Sequence, residues 1–281
     1  MSIQEKACLV KLTISQWTAS RLDRKKTEEL CQANGTTDSW LRANKTLLPK
    51  EAIKPISQVA NEARSYHYDV TLPWDDAGAR ILPTALYMEY VEKINGYKER
   101  FTRLVDDLCR QYTRLKEEAR RNLNGAFRED DYPDDLSDRY GMETAVRPIP
   151  QGEDLRITVG SAELMRLRQN IENEVQSQLA ESVKDLWLRL RKVVAAAAEK
   201  LADKDAVFRD SLIGNIKELV DVLPKLNITG DKDLDDMARQ VKESLTWYEP
   251  NTLRKNRTAR RTAAQKAQDA LKKLDWYMQT K

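Results

Sequence analysis

The chain has 281 residues, only nine glycines and nine prolines, and a third of its residues charged, yet its formal net charge is +3. Scarce glycine and proline argue against a loop-rich enzyme scaffold, and the wealth of Ala, Leu, Lys, Glu and Arg is that of helical bundles and coiled coils. So balanced a charge excludes strong steering of a partner by net charge alone.

The first element, ACLVKLTISQW from Ala7, sets Cys8, Val10, Leu12 and Ile14 against Lys11, Thr13 and Ser15. A period of two with β-branched residues predicts a half-buried strand. Helical pieces are predicted next over Ser20–Asn34 and Pro49–Tyr66, the first closing at an Asn-Gly turn signal. Then comes TLPWDDAGARILPTALYMEY, Thr71–Tyr90. Pro73 steers Leu72 away from helical angles, Gly78 permits a tight turn, and Pro83 suits the first turn of a helix. Trp74 is expected to insert between helices, Asp75 and Asp76 to hold turns, and Arg80 to pair with either aspartate or with a partner. The stretch reads as the mouth of a helix rather than an active-site loop.

From Tyr87 to Ala119 apolar side chains recur at steps of three and four, including Tyr90, Ile94, Phe101, Leu108 and Leu115. A stripe held this long predicts a spine over about 83–122. A second spine, about 161–203, repeats the spacing through Leu164, Leu167, Ile171, Val175, Leu186 and Leu190. Two helices of matching length joined by one crossover favour an antiparallel pair. The crossover, 123–160, is acidic and rich in proline and glycine, and EDLRITVG within it is a second strand candidate. Shorter helices are expected over Asp205–Leu223, closed by Pro224, then Asp231–Tyr248 and Asn251–Met278. The expected fold is mainly α: a long antiparallel helical hairpin with shorter packing helices and a small β-hairpin or ribbon. Residues 1–250 read as one elongated domain, and 251–281 as a basic C-terminal helix.

Catalytic motifs are missing. The sequence has no phosphate-cradling glycine loop, no HExxH, no CxxC and no nucleophile elbow. His67 is the single histidine, and its setting between two tyrosines suits a packed or surface residue. Cys8, Cys31 and Cys109 share no metal-ligand spacing and read as small buried hydrophobes. No cofactor is implied, and an enzyme is not expected. No apolar run nears the ~18 residues a membrane span needs, so the expectation is a soluble, cytoplasmic protein.

Two charged stretches remain. Glu129, Asp130, Asp131, Asp134, Asp135 and Asp138 form an acidic tip in the crossover. Their spacing does not match an EF-hand loop. A solvated loop with aspartates capping turns, a metal site, and a docking surface for a basic partner all stand as readings. At the other end, residues 251–281 carry Arg254, Lys255, Arg257, Arg260, Arg261, Lys266, Lys272, Lys273 and Lys281 against Asp269 and Asp275, a net of about +7. This is either an amphipathic helix docked through Ala263, Ala267, Ala270 and Leu274, a contact to another subunit's acidic tip, or a nucleic-acid surface.

The pieces ANEARSYHYDVTLPWDDAGARILPTALYMEY and YTRLKEEARRNLNGAFREDDYPDDLSDRYGMETAVRPIP resemble a family of bacteriophages and bacteria known as domain of unknown function 3150. The matching positions are Ala63-Arg64, Leu72-Pro73-Trp74, Gly78, Arg80 to Pro83, Tyr132-Pro133, Val146, Pro148 and Pro150. The resemblance implies no catalytic residues. It implies a helical accessory protein acting with an AAA+ ATPase, because genes of that family lie near such machines. The function expected is a non-enzymatic, self-associating phage protein, an oligomeric scaffold or accessory factor. Nucleic-acid binding through the basic helix, or binding of a phosphorylated small ligand by an oligomer, stands as the alternative.

Overall fold

A computed structural model describes residues 2–203 and 205–280; Lys281, counted in the basic segment, lies outside them. The elements run α1 (Ile3–Lys6), β1 (Ala7–Ser15), β2 (Ser20–Leu22), α2 (Arg24–Asn34), β3 (Asn44–Thr46), α3 (Lys50–Asp69), β4 (Leu72–Pro73) and β5 (Arg80–Pro83). Then follow α4 (Tyr87–Leu123), β6 (Gly141–Arg147), α5 (Ser161–Ala202), α6 (Ser211–Leu226), α7 (Lys232–Leu245), α8 (Pro250–Lys255) and α9 (Arg257–Thr280). The fold is mainly α with small antiparallel β elements, as the composition implied.

The chain divides into two compact units. The first holds residues 1–11, 68–90 and 145–281, and the second 12–67 and 91–144. The basic C-terminal helix α9 packs on α5 and α7 within the first unit.

In the first unit β5 pairs antiparallel with β1, Leu9 opposite Ile81, and with β4, Leu72 opposite Ile81. The segment expected to open a helix therefore begins as a β-hairpin. Pro83 ends β5 with φ −62° and ψ 138°, a single 3-10 turn follows, and α4 starts at Tyr87. Sequence inspection overlooked this strand because Arg80–Pro83 is too short to show alternation beside two prolines. In the second unit the far part of β1 is flanked by β6, so Gly141 comes so near Ser15 that an added Cβ would lie 2.9 Å from its Oγ. The second strand expected at 153–160 is thus replaced by β6 at 141–147. Both edges of β1 are taken, by β5 and β6, and 153–160 forms no strand.

Each spine has a covering helix inside its own unit. Phe101, Val105, Leu108 and Leu115 of α4 form one core with Ile56, Val59, Ala60 and Ala63 of α3. The stripe of α5 is covered instead by α9 and α6. Arg191 Nε meets Asp275 at 2.6 Å, the Trp187 ring stacks on Tyr277 at 5.3 Å, and Arg260 reaches the carbonyl of Leu201 at 3.3 Å. Contacts that move down α9 as they move up α5 make the pair antiparallel. Ala197 and Ala198 on one helix, with Ala263, Ala264 and Ala267 on the other, are buried. Small side chains let two helices approach closely, and alanine costs no side-chain entropy in a helix.

Local signals explain the helix ends. Asp231 caps α7 by accepting from the backbone N–H groups of Asp233 at 3.0 Å and Leu234 at 3.3 Å. Gly35 closes α2 with φ +61°, the left-handed position that the Asn-Gly signal announced. Pro224 does not stop α6 at Leu223: the helix runs on to Leu226.

Three phenols tie the crossover to the second unit's core. Tyr112 donates to Pro133 O at 2.9 Å, Tyr132 to Leu47 O at 3.0 Å and Tyr140 to Trp17 O at 3.4 Å. Burial above all, aided by neighbouring ionisable groups, pushes each of them up to about 12. An unfolded phenol titrates near 10, so the stabilisation these groups give is whole below about pH 10 and is lost as pH rises toward about 12. Phenolate absorbance and near-ultraviolet circular dichroism should therefore change together in that window. Phenols ionising near pH 10 with the dichroism unchanged would contradict the burial.

Candidate interaction surfaces

The residues of the Thr71–Tyr90 motif converge on α5. Trp74 is buried. Asp75 accepts at 2.8 Å from the N–H of Ala79, and Gly78 takes φ +90° in the turn between β4 and β5. Arg80 does not pair with Asp75 or Asp76. Its Nε donates to Thr71 Oγ1 at 2.7 Å and an Nη to Thr71 O at 3.0 Å, while its guanidinium lies 4.6 Å from the Tyr68 ring. Arg189 of α5 donates to that same Thr71 carbonyl at 2.8 Å, and Ser182 Oγ donates to Pro73 O at 3.1 Å. Burial first, and the Arg189 charge next, lower the Arg80 pKa. The segment that carries Pro73, Trp74, Gly78, Arg80 and Pro83 is thus held on a long helix by bonds from Ser182 and Arg189. His67 is buried in the last turn of α3.

The acidic tip separates into two kinds of residue. Glu129 pairs with Arg120 at 2.7 Å and with Lys116, and these cations hold its carboxyl below the usual carboxylate range. Asp131 is buried between Lys45 at 2.5 Å and Arg21 at 3.2 Å. Asp135 accepts from the Ser137 N–H at 2.8 Å and hydroxyl at 2.6 Å, the capping role expected of an aspartate here. Asp130, Asp134 and Asp138 are exposed. Among the described residues no three His, Cys, Asp or Glu side chains are grouped to hold a metal ion.

The basic segment is divided in the same way. Arg254 donates to Phe208 O at 3.1 and 3.2 Å, pairs with Asp210 and lies over the Phe208 ring. Arg260 donates to the carbonyls of Lys200, Leu201, Asp203 and Ala206, and lies 5.2 Å from the same ring. The last carbonyls of a helix have no partner within it, so Arg260 caps α5 and pins the loop after it. Lys255, Arg257 and Arg261 remain exposed. The four docking residues Ala263, Ala267, Ala270 and Leu274 are all buried. Replacing Arg260 by Gln should cost about 2 kcal/mol, since hydrogen bonds from a charged donor contribute about 1.5–3 kcal/mol. Urea unfolding checks this, with Arg257→Gln expected to stay within about 0.5 kcal/mol of the parent.

One surface was not singled out from the sequence. In α5 the fully buried positions begin at Val175. Before it, Leu164, Leu167 and Ile171 are half-buried and Met165 is 72% exposed, with Ile157 and Val159 exposed just upstream. The stripe continues unbroken through this stretch of sequence, so periodicity alone could not tell its covered part from its open part.

Comparison of the chain with protein-family models, curated proteins and solved structures returned no match. No helix among the described residues is long and apolar enough to cross a membrane.

Proposed function

We propose that the protein is a non-enzymatic helical scaffold that associates with copies of itself through the first third of α5. The observation that carries this reading is the open stripe of Leu164, Leu167 and Ile171. Apolar surface of this kind gains about 25 cal/mol for each Å² removed from water. Charge points to a second copy as the occupant. Arg166 and Arg168 precede the centre of the open stretch, and Glu172 and Glu174 follow it. A second α5 laid antiparallel about Asn170 brings both basic residues opposite both acidic ones, twice, as an isologous contact requires.

This replaces the tip-to-tail charge contact expected from the sequence as the favoured route. Glu129, Asp131, Arg254 and Arg260 all have partners inside their own units. An apolar contact survives salt that screens exposed charges, the Debye length falling to about 3 Å at 1 M. Light scattering at low and high salt therefore tests the route. A multimer in both supports α5, a multimer that dissolves at high salt restores the charged contact, and a monomer in both overturns self-association. The family resemblance supplies the wider reading, that such an assembly is phage-encoded and serves an AAA+ ATPase.

Nucleic-acid binding by the basic helix is the second reading. It is favoured by the exposed Lys255, Arg257, Arg261, Lys266, Lys272 and Lys273. Fluorescence anisotropy with short DNA should then fall steeply with salt. Arg257→Glu with Arg261→Glu should weaken it without disturbing the Arg260 cap.

A further inference from the structure

In the second unit, Arg21 and Leu22 of β2, Asp23, Arg24 at the start of α2, Lys45 of β3, and Arg128 and Asp131 of the crossover surround one hollow of about 360 Å³. The β2–β3 ribbon sets Arg21 directly opposite Lys45, and the crossover brings Arg128 and Asp131 against them. Four cations thus face two carboxylates. Both carboxylates are already engaged: Asp23 accepts from the Lys26 N–H at 3.0 Å, and Asp131 is held by Lys45 and Arg21. The guanidinium groups of Arg24 and Arg128, by contrast, are spent on no hydrogen bond or ion pair among the described residues. Unlike Arg254 and Arg260, they line the hollow with their charge unsatisfied.

We propose that this hollow binds a small molecule bearing a phosphate monoester. A phosphate dianion offers three acceptor oxygens, and guanidinium groups match it through paired N–H donors. Asp131 does not oppose it, because Lys45 and Arg21 offset its charge from two sides. The volume is near the lower end of the range for small-molecule sites, about 300–1,000 Å³. Leu22 is the one apolar side chain in the lining, and no aromatic ring lies there. A nucleobase would find no platform, as single-stranded nucleic acid also requires. A phosphorylated sugar, polar at both ends, fits the lining better. The site is separate from the α5 surface and stands or falls without it.

Isothermal titration of the full chain with inorganic phosphate, ribose 5-phosphate and ribose tests the proposal. Saturable heat is expected from both phosphates and none from ribose. Arg24→Gln and Arg128→Gln should each weaken ribose 5-phosphate binding about tenfold or more, the loss expected for a charged hydrogen bond. Both side chains are exposed, so an unchanged melting temperature should confirm that the variants fold. Absence of heat from either phosphate overturns the proposal. So does a double Arg24→Gln, Arg128→Gln chain that binds as tightly as the parent. Loss of binding in an Arg257→Gln, Arg261→Gln chain, with the Arg24 and Arg128 variants unaffected, would place the anion on α9 and overturn it equally.

Discussion

A chain ended after Asn256, lacking α9, should lose the fold of the first unit rather than a detachable tail. Removing α9 uncovers the seam of α5, where Leu186, Leu190, Val194 and Ala197 are now buried, and takes away the buried Ala263, Ala267, Ala270 and Leu274. It also removes the Arg260 cap, the Arg191–Asp275 ion pair and the Tyr277 ring stacked on Trp187. Burying one large apolar side chain contributes about 1.5–3 kcal/mol, and a whole domain is stable by only about 5–15 kcal/mol. The deletion therefore removes an amount comparable to the entire stability of the unit. Far-ultraviolet circular dichroism should show a loss of helix well beyond the deleted residues. A loss confined to the deleted segment would show that α5 does not depend on α9. For the same reason, truncation is no test of nucleic-acid binding, and surface substitutions on α9 serve instead.

Lys45→Met should be the most damaging single substitution in the second unit. Lys45 and Asp131 are both buried, 2.5 Å apart, and Lys45 also donates to Ala126 O at 2.9 Å. Breaking a buried pair by removing one partner costs about 3–5 kcal/mol, because the other charge stays buried. Arg21 remains 3.2 Å from Asp131 but is largely exposed, so it offsets part of that cost. An expected loss of about 3 kcal/mol in urea unfolding follows from these two terms. Adding Asp131→Leu should restore most of it, since an apolar pair of similar volume replaces a buried ion pair at little cost. A double variant no more stable than Lys45→Met would mean that packing, not the orphaned charge, sets the loss.

The two spines were legible in the sequence because a three-four apolar step is a direct trace of helical geometry. Expected spans of 83–122 and 161–203 became Tyr87–Leu123 and Ser161–Ala202. Their partners were not legible. The face by which α9 covers α5 is made largely of alanine, a weak hydrophobic signal, whereas the two spines advertised strong ones. Within the units α3 packs on α4 and α9 packs on α5, pairings that the spacing along a single helix does not name.

Charged residues were harder still. Arg260 and Lys255 look alike within a basic run, yet one caps a helix and the other is exposed. Asp131 and Asp130 are neighbours in a run of acids, but only Asp131 is buried against Lys45 and Arg21. What distinguishes them is a partner far away in sequence, which composition and spacing do not carry. The form of the motif from Thr71 to Pro83, a hairpin held on α5, depends on partners such as Arg189 that spacing could not reveal.

Self-association through α5 is tested most directly by sedimentation velocity of the parent chain beside a Leu164→Glu, Ile171→Glu variant. Both positions precede the fully buried part of the helix, so the variant should keep its helical dichroism. The parent is expected to sediment as a multimer at both low and high salt, and the variant as a monomer. A parent that is monomeric at every concentration, or a variant that associates as strongly as the parent, would contradict the assignment of the α5 surface.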